Sequence, residues 1–443
     1  MLQALNPERI EYIFRNMDDA VCLTGKSGEL LYVNSAAERL FGLRADGKTK
    51  IWESIPFVEE NDALVQLFID GITEKKKSVR SLVDYVNNQG ELFHLHASLT
   101  CEAEESGMIL IVISDLTQLM KVHSAFTRYT SPEIADYVLT APDGEKQGGQ
   151  TREVSIMMSD LRGFTAMSTR LSSDDLITVL NHYFEIMAPV IQRNGGTIIE
   201  FLGDGIFVVF GAPADLPGHA AAAVTCAVEM QNAMAEVNAW NRERNFPELD
   251  MGIGISSGPA VVGNIGSDEK MKYGCMGETV NLAGRMETYS IGGQIHISEF
   301  TRKMISEELT ITGETSFMPK GGRGELKIYN ITGIGKCCLR RNAEEETEWT
   351  DLPAPKEVSF SPVDGKTVET NRYPGLLTAV SADGKYGILT AGRDLQPLQD
   401  LLIRLGGENV YAKVTEKDEN GYRIGFTVRP AAFSGAADKG GNA

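Results

Sequence analysis

Between residues 151 and 334, short apolar runs alternate with segments in which apolar residues recur every three or four positions. One such segment follows Ser172 and Asp175, which form a capping-box-like helix start. A period of 3.6 indicates a helix that packs one face on a sheet, and the alternation indicates a sheet layered with helices. The apolar residues of this helix are Leu176, Val179, Leu180, Tyr183, Phe184, Met187 and Val190.

The first 118 residues have a different pattern, in which a short helix leads into several strands. Helical spacing over 7–17 is followed by strand-like runs at 20–24 and 29–33. The next segment, Asn34 to Gly42, predicts a short helix that is closed by glycine. Later strands are predicted at 79–87, 91–99 and 107–114.

The pattern from Asp19 to Gly42 resembles a PAS sensor domain, whose sheet and short helices often enclose a ligand. His94 and His96 would share one face of a predicted strand, because side chains alternate along a strand. Such a pair suits either a haem or metal site or ordinary strand positions, and the sequence identifies no ligand. We therefore expect residues 1–118 to form a PAS-like sensor domain with an unknown ligand.

Residues 119–150 predict a helical connection. Ser131-Pro132-Glu133 is a helix start signal, so one helix should end before Pro132 and a second should begin there. A loop containing Gly, Pro and Lys follows from Ala141. The segment is either a transducer that couples the sensor to the next domain or a passive linker.

The C-terminal part has the composition of a linker and a small domain. Residues 335–370 are acidic and contain several prolines, which is typical of a linker. Residues 371–432 predict a small β-rich module with one helix at Asp394–Leu405, and 433–443 predict a disordered tail. The module faintly resembles a PilZ barrel. Ala379 stands where that family has Asp or Asn, so we expect a structural or protein-contact role rather than cyclic di-GMP binding.

The chain has 443 residues, which suits two to four domains. It contains 61 Asp and Glu residues but 42 Lys and Arg residues, and a net charge of −19 argues against nucleic acid or anionic membranes as partners. Its six scattered cysteines fit a reducing compartment. We expect a cytoplasmic protein without a signal peptide or membrane insertion, because no apolar run approaches the roughly 20 residues of a membrane helix.

Two aspartates end neighbouring strand-like runs. Asp160 follows a buried run, and Asp204 lies in a Gly-Asp-Gly hairpin signal between runs at 197–202 and 206–210. Two carboxylates on one sheet edge could chelate divalent cations. Because Mg²⁺ prefers one or two carboxylates plus substrate phosphates, this pattern indicates a nucleotide–metal site.

A third stretch begins at Gly277 and predicts a helix start, with Asn281 and Arg285 one turn apart on one face. In this order the three stretches resemble the catalytic domain of class III nucleotidyl cyclases over residues 151–334. The resemblance implies a ferredoxin-like α/β sheet within an α+β multidomain protein. It also implies a homodimer with active sites between the protomers.

By this resemblance, Asp160 and Asp204 would bind two divalent metal ions, Mg²⁺ or Mn²⁺. Asn281 would orient the ribose. Arg285 would stabilise the α-phosphate in the transition state, a task that suits a planar and permanently charged guanidinium.

Four further residues would contact the substrate. Glu200 stands where adenylyl cyclases of this family usually have Lys, and its carboxylate could accept hydrogen bonds from guanine N1 and N2. Adenine presents an acceptor at N1, which suits lysine instead. Gly274, at the second specificity position, supports neither base through a side chain. Lys320 aligns with the triphosphate-binding lysine of the family, and Arg323 is its rival.

The sequence therefore predicts a PAS-regulated, homodimeric guanylate cyclase that converts GTP to cyclic GMP and pyrophosphate. An adenylate cyclase that converts ATP to cyclic AMP is the alternative among enzymes. A catalytically silent nucleotide sensor or scaffold is the alternative of another class. The complete set of metal, ribose and phosphate residues argues against the silent protein.

Overall fold

The structure, a computed structural model, describes residues 7–73, 78–101, 107–168, 171–317, 325–340, 349–364, 367–382, 384–419, 421–427 and 430–433. The chain divides into two compact units, Met1–Tyr129 and Thr130–Ala443. Within the described ranges, no helix is long and apolar enough to cross a membrane.

The first unit is built around a five-stranded antiparallel sheet. Its elements are α1 (Pro7–Arg15), β1 (Ala20–Thr24), β2 (Leu30–Val33), α2 (Ser35–Phe41), α3 (Asp62–Thr73), β3 (Ser78–Val86), β4 (Leu92–Cys101), β5 (Ile109–Asp115) and α4 (Thr117–Tyr129). The strand order is β2-β1-β5-β4-β3. Phe41, Phe68 and Tyr85 lie in a buried apolar core between the helices and the sheet. The predicted strands and the short helix are confirmed.

The short helix α2 begins and ends as its sequence predicts. The Asn34 side chain accepts a hydrogen bond from the Ala37 N–H at 3.0 Å, which satisfies a free donor of the first turn. Gly42 has a φ of 69°, and its N–H donates to the Glu38 carbonyl. Both caps are local, so the sequence around them was enough to place the helix.

The histidines of β4 have ordinary surroundings in this unit. His94 Nδ1 lies 2.7 Å from Asp84 Oδ1 on the neighbouring strand β3. No group of three His, Cys, Asp or Glu side chains with the arrangement of a metal site occurs in the described ranges. His94 is thus engaged with a carboxylate of the neighbouring strand, and the choice between a ligand site and ordinary strand positions stays a prediction for the two histidines.

The second unit begins with a large mixed sheet. Its strands are β6 (Gly148–Arg162), β7 (Gly196–Leu202), β8 (Gly205–Phe210), β9 (Asp250–Gly266), β10 (Met271–Met276), β11 (Ile295–Ser298), β12 (Leu309–Phe317), β13 (Leu326–Ile334) and β14 (Cys337–Cys338). The order is β12-β13-β11-β9-β6-β8-β7, with β10 paired to β9 and β14 to β13. Only the β9–β11 pair is parallel among these described pairings.

Helices cover both faces of this sheet. They are α5 (Pro132–Thr140), α6 (Phe164–Ser168), α7 (Ser173–Arg193), α8 (His219–Glu243), α9 (Glu278–Tyr289) and α10 (Glu299–Met304). One face carries the main core, where Tyr183 of α7 packs with Val208 and Phe210. The other face packs α5 and α9 against Ile156 and Val209. The α+β expectation is confirmed, and so is the predicted start of α7, where Ser172 Oγ accepts from the Asp175 N–H.

The chain ends in a closed β barrel. Its strands are β15 (Trp349–Asp364), β16 (Thr367–Val368), β17 (Tyr373–Ser381), β18 (Tyr386–Ala391), β19 (Asp400–Leu405), β20 (Glu408–Asp418) and β21 (Gly421–Phe426). The barrel closes because β15 pairs with both β17 and β19. Phe360, Leu377 and Leu389 lie in its buried core.

Two predictions for this region were wrong. The helix expected at Asp394–Leu405 is a turn followed by β19, in which burial alternates along the strand. The linker expected at 335–370 contains β14 and the long strand β15. Pro353 and Pro355 lie at a register shift of β15, where the ladder to β17 is interrupted and a missing N–H costs little. Residues 434–443 of the expected tail lie outside the described residues.

The helix–break–helix prediction for 119–139 is confirmed by α4 and α5. In the second unit, Ile134 and Ala135 of α5 are buried against the sheet. The ring of Tyr137 packs edge-to-face on Tyr273 of β10, with 5.5 Å between the ring centroids.

Candidate active site

The structure brings Asp160 and Asp204 together. Asp160 lies near the end of β6, and Asp204 lies in the turn between β7 and β8. Gly203 has a φ of 71°, and a Cβ on Gly205 would come within 2.9 Å of the Ser159 carbonyl oxygen. The two glycines therefore allow the predicted hairpin to lie directly on β6.

The two carboxyls form a like-charged, partly buried pair. Burial and then the Asp204 charge raise the pKa of Asp160 to about 6, while Arg162 acts in the opposite direction. Burial also raises the pKa of Asp204, although backbone N–H groups at Asp204 and Leu161 act in the opposite direction. Burial and the negative charge of Asp204 therefore both oppose ionisation of Asp160.

This pair has the chemistry of a hard-cation site. Carboxylate oxygens are the ligands that Mg²⁺ and Mn²⁺ prefer, and a divalent cation would offset the repulsion between Asp160 and Asp204. Within the described ranges, no three His, Cys, Asp or Glu side chains are arranged so that they could hold a metal ion together. Two carboxylates are nevertheless enough for an ion that takes its other ligands from water and phosphate.

Arg162 is a residue of the site that the sequence did not reveal. Its Nη1 lies 3.4 Å from Asp160 Oδ2. Its Nη2 lies 2.6 Å from Glu287 Oε1 and donates to the Glu287 carbonyl and to Ser290 Oγ. The side chain is only 13% exposed. These contacts join the end of α9 to the carboxylate pair across 125 residues of sequence, so no local signal could have shown them.

Glu200 lies on β7 and forms an ion pair with Lys272 of β10. Lys272 and Gly274 lie on the exposed face of β10, since Tyr273 and Cys275 point into the core. A Cβ on Gly274 would contact only the Ile265 side-chain tip at 3.2 Å and a carbonyl oxygen at 4.0 Å, so this face is open. The structure thus places the two predicted base-contacting residues on either side of Lys272.

Asn281 and Arg285 lie on α9, as predicted, but not with the aspartates. The buried face of α9 is formed by Thr279, Leu282, Ala283 and Met286. Asn281 is exposed and Arg285 is half-buried. Within the described part of this single chain, neither side chain forms a hydrogen bond or ion pair with Asp160 or Asp204. Lys320 and Arg323 lie outside the described residues.

Comparisons with known proteins identify two domains of this chain. A family model described as "Adenylate and Guanylate cyclase catalytic domain" matches residues 147–333, and a PAS domain model matches residues 8–74. The chain belongs to the class III nucleotidyl cyclases.

Two curated relatives of this chain are named as adenylate cyclases. Adenylate cyclase 1 of Rhizobium meliloti is 31% identical over 185 residues, which are 41% of this chain and 28% of the relative. The adenylate cyclase of Anabaena cylindrica is 28% identical over 266 residues, 55% of this chain and 51% of the relative. The matches thus span 28% and 51% of the relatives' own lengths.

Solved structures of both specificities resemble the catalytic domain of the cyclase. The guanylyl cyclase Cya2 is 45% identical and matches 44% of this chain and 100% of its own, with a TM-score of 0.43. The adenylyl cyclase CyaB from P. aeruginosa is 32% identical, with 43% and 99% coverage and a TM-score of 0.41. The printed names of these proteins thus include both adenylyl and guanylyl cyclases.

Proposed function

We propose that this cyclase converts GTP to cyclic GMP and pyrophosphate, and that its PAS domain regulates the reaction. The observation that carries the choice of base is the position of the Glu200 carboxylate beside the open face of β10. The cyclase chemistry itself is supported by the paired carboxylates of Asp160 and Asp204.

In the proposed reaction the ribose 3′-oxygen attacks the α-phosphorus and loses its proton, and the bond from the α-phosphorus to the bridging oxygen of the β-phosphate breaks. Asp160 and Asp204 would hold two divalent ions. When bound, these ions would lower the pKa of the hydroxyl and neutralise phosphate oxygens. Arg162 keeps the Asp160 carboxylate oriented toward that position, because its other nitrogen is fixed by Glu287 and Ser290.

The separation of Asn281 and Arg285 from the aspartates supports a homodimer. Among the described residues of one chain, these two side chains lie outside the buried face of α9 and have no bond to either carboxylate of the pair. A second copy would present its Asn281 to the ribose and its Arg285 to the α-phosphate, giving two sites in a symmetric dimer. Losing such an arginine typically costs roughly 3 kcal/mol of transition-state stabilisation.

Glu200 and Lys272 together match the edge of guanine. The carboxylate can accept from N1–H and from the N2 amino group, and the Lys272 amine can donate to O6. Their exposed ion pair is inexpensive to open, because pairs at the surface contribute only about 0–1 kcal/mol. Gly274 leaves room for the base beside them.

Lys272 also gives a specific reason to keep ATP as a second candidate. In a shifted position, adenine could donate from its N6 amino group to Glu200 and accept at N1 from Lys272. Glu200 and Lys272 can therefore bind either purine, and guanine and adenine would differ only in their position relative to this pair. A silent nucleotide sensor would bind either base without releasing pyrophosphate.

The contact between α5 and β10 supports regulation by the preceding segment. Tyr137 packs on Tyr273, and Tyr273 is the strand neighbour of both Lys272 and Gly274. A shift of α5 would move the strand that carries the base-contacting residues. This favours a transducer over a passive linker.

The test uses purified full-length protein with GTP and ATP in parallel, each with Mg²⁺ and with Mn²⁺, and identifies the cyclic product. We expect cyclic GMP from the wild type, and a shift toward ATP in the double variant Glu200→Lys with Gly274→Asp. Glu236→Lys, an exposed change on α8, is the matched control and should keep GTP preference.

Three outcomes are distinguished. Cyclic AMP as the main wild-type product would overturn the choice of GTP and leave a cyclase. Unchanged base preference in the double variant would overturn the role of Glu200. Nucleotide binding without either product or pyrophosphate would support the silent sensor instead.

A further inference from the structure

The C-terminal barrel is in contact with the part of the catalytic domain that holds Arg162. Lys385, just before β18, donates to both oxygens of Asp250 at 2.9 Å. Asp250 begins β9 and is the cross-strand partner of Arg162 on β6. The barrel is thus tied to the strand next to the arginine that contacts Asp160.

A row of residues across four barrel strands makes a second contact. Register pairs Asp400 with Lys413, Lys413 with Gly425, and Gly425 with Tyr386, so these four residues share one face. We call them the cross-strand row. A Cβ on Gly425 would lie 2.8 Å from Ile291 Cδ1 of the catalytic domain, so only glycine allows this approach without displacement.

The residue that the row touches lies next to the anchor of Arg162. Ile291 follows Ser290, whose Oγ accepts a hydrogen bond from Arg162 Nη2 at 2.9 Å. Lys413, in the middle of the row, is only 7% exposed and pairs with Asp400. Burial lowers the pKa of Lys413, and the Asp400 carboxylate acts in the opposite direction.

An apolar contact completes the attachment. Leu398 of the barrel packs on the cluster formed by Leu282, Met286 and Ile328. Leu398 has a φ of 66°, a conformation that branched side chains rarely adopt. Two of the three residues of this cluster, Leu282 and Met286, belong to α9, the helix that also carries Asn281, Arg285 and Glu287.

We propose that the C-terminal barrel is a positioning module of the metal site. Through Lys385, Leu398 and the cross-strand row, it holds Asp250, the strand partner of Arg162, and the end of α9, where Glu287 and Ser290 bind the Arg162 side chain. Arg162 in turn orients Asp160. The described contacts of Asp160 include no barrel residue, so the barrel would act on the site only through Arg162 and its residues would be positioning residues.

A cleft lies beside the contact between the barrel and the catalytic domain. The cleft has a volume of about 1300 Å³ and is lined by both domains, including Arg242, Glu314, Tyr386 and Glu416. A barrel held at a few points beside such a cleft can be loosened by single substitutions without unfolding either core.

The test measures how much metal the full-length protein needs. Lys385→Met removes the ion pair to Asp250, and Gly425→Val wedges the row away from Ile291. In both variants we expect the Mn²⁺ concentration for half-maximal cyclase activity to rise about tenfold, the usual effect of losing a group that orients a metal ligand. Lys385→Arg should restore the wild-type value.

Matched controls separate positioning from stability. Lys417→Met removes an exposed ion pair of the same barrel, and Gly392→Val adds the same side chain where no atom lies within 4 Å. Both should keep the wild-type metal requirement. Thermal unfolding of all variants shows whether the two barrel-contact changes lower stability more than their controls do.

This inference rests on the proposed metal site, so a second measurement does not depend on turnover. Binding of Mn²⁺ to the protein with a non-reactive GTP analogue is followed by electron paramagnetic resonance. Weaker binding in Lys385→Met and Gly425→Val supports positioning even if no cyclic product forms from any nucleotide. Unchanged Mn²⁺ affinity in both variants, with tight binding in the wild type, would overturn it, as would the absence of Mn²⁺ binding to the wild type.

Discussion

Two pairs of charged side chains in the catalytic domain differ in sign and in burial. Asp160 and Asp204 have the same charge and are partly buried, so bringing them together is unfavourable. Glu200 and Lys272 have opposite charges and are 44% and 50% exposed, so their attraction is weak in water. The repulsion between Asp160 and Asp204 would be offset by a bound cation. The weak attraction between Glu200 and Lys272 allows each side chain to leave the other and bind a base.

The largest effect should follow from breaking the like-charged pair. Asp204→Asn is expected to lower cyclase activity at least about 100-fold, because the metal-assisted stabilisation it supports is worth several kcal/mol. The melting temperature without metal should stay the same or rise, since a repulsion is removed. Activity assays and thermal unfolding of the same preparation measure the two properties.

Asp174→Asn on the exposed start of α7 is the control for this change and should alter neither property. A variant with nearly normal activity would show that Asp204 does not hold a metal. A loss of stability that accounts for the lost activity would show that the residue is structural.

The next effect concerns the residues that the single chain leaves apart from the aspartates. Chains carrying Asp204→Asn and chains carrying Arg285→Ala are expected to be nearly inactive alone. Mixed in equal amounts and allowed to exchange, they should recover roughly a quarter of the wild-type rate, because half of the dimers would contain one intact site of two. A cyclic nucleotide assay after co-refolding or co-expression measures this recovery.

The control is a protein in which every chain carries both Asp204→Asn and Arg285→Ala, and it should show no recovery of cyclase activity. If the mixed single variants stay inactive although heterodimers form, each site would have to take both residues from one chain. That result would contradict the proposed homodimer site.

The features of the site that the sequence predicted are the ones with local signals. Gly203 and Gly205 around Asp204 specify a tight hairpin, and a buried run before Asp160 specifies a strand that ends beside it. Asn281 and Arg285 are one turn apart on a helix, which spacing alone determines. Their chemical roles came from the family resemblance and stay predictions.

The features that the sequence did not reveal depend on contacts between distant segments. Arg162 is fixed by Glu287, 125 residues away, and Lys272 meets Glu200 through strand packing. The prediction of a helix around Leu401 and Ile403 was wrong, because a short apolar segment fits both the helical period of 3.6 and the strand period of 2. The structure has β19 there, in which burial alternates.

The like-charged pair should also make stability depend on pH. The pKa of Asp160 is about 6 in the folded protein, against 3.8 for the ordinary group. The folded state therefore keeps a proton that the unfolded chain loses, and this stabilisation is present below pH 3.8 and is lost as the pH rises through about 6. In a chelator, Asp160→Asn should become more stable relative to the wild type between pH 4.5 and pH 7.

We expect this relative gain to reach about 1–2 kcal/mol, after allowance for the partial exposure of the carboxyl. Denaturant unfolding at several pH values measures it. Burial lowers the pKa of His296 to about 4, so this residue destabilises both proteins equally at acidic pH and cancels in the comparison. Adding Mn²⁺ should stabilise only the wild type, and a pH-independent difference would show that the two carboxyls do not interact.

The smallest effect should come from the opposite-charged pair. Lys272→Met removes an exposed ion pair, so the free energy of unfolding should change by less than about 1 kcal/mol. Lys303→Met, which removes the surface pair with Glu299, is the matched control and should change the free energy of unfolding by a similar amount.

The two variants should differ in base preference instead, because only Lys272 adjoins Glu200. Since an unpaired polar group in a base site costs about 1–3 kcal/mol, the ratio of kcat/KM for GTP and ATP should change about tenfold or more in Lys272→Met and not in Lys303→Met. A large loss of stability with an unchanged ratio would mean that Lys272 supports the fold of β10 and does not contact the base.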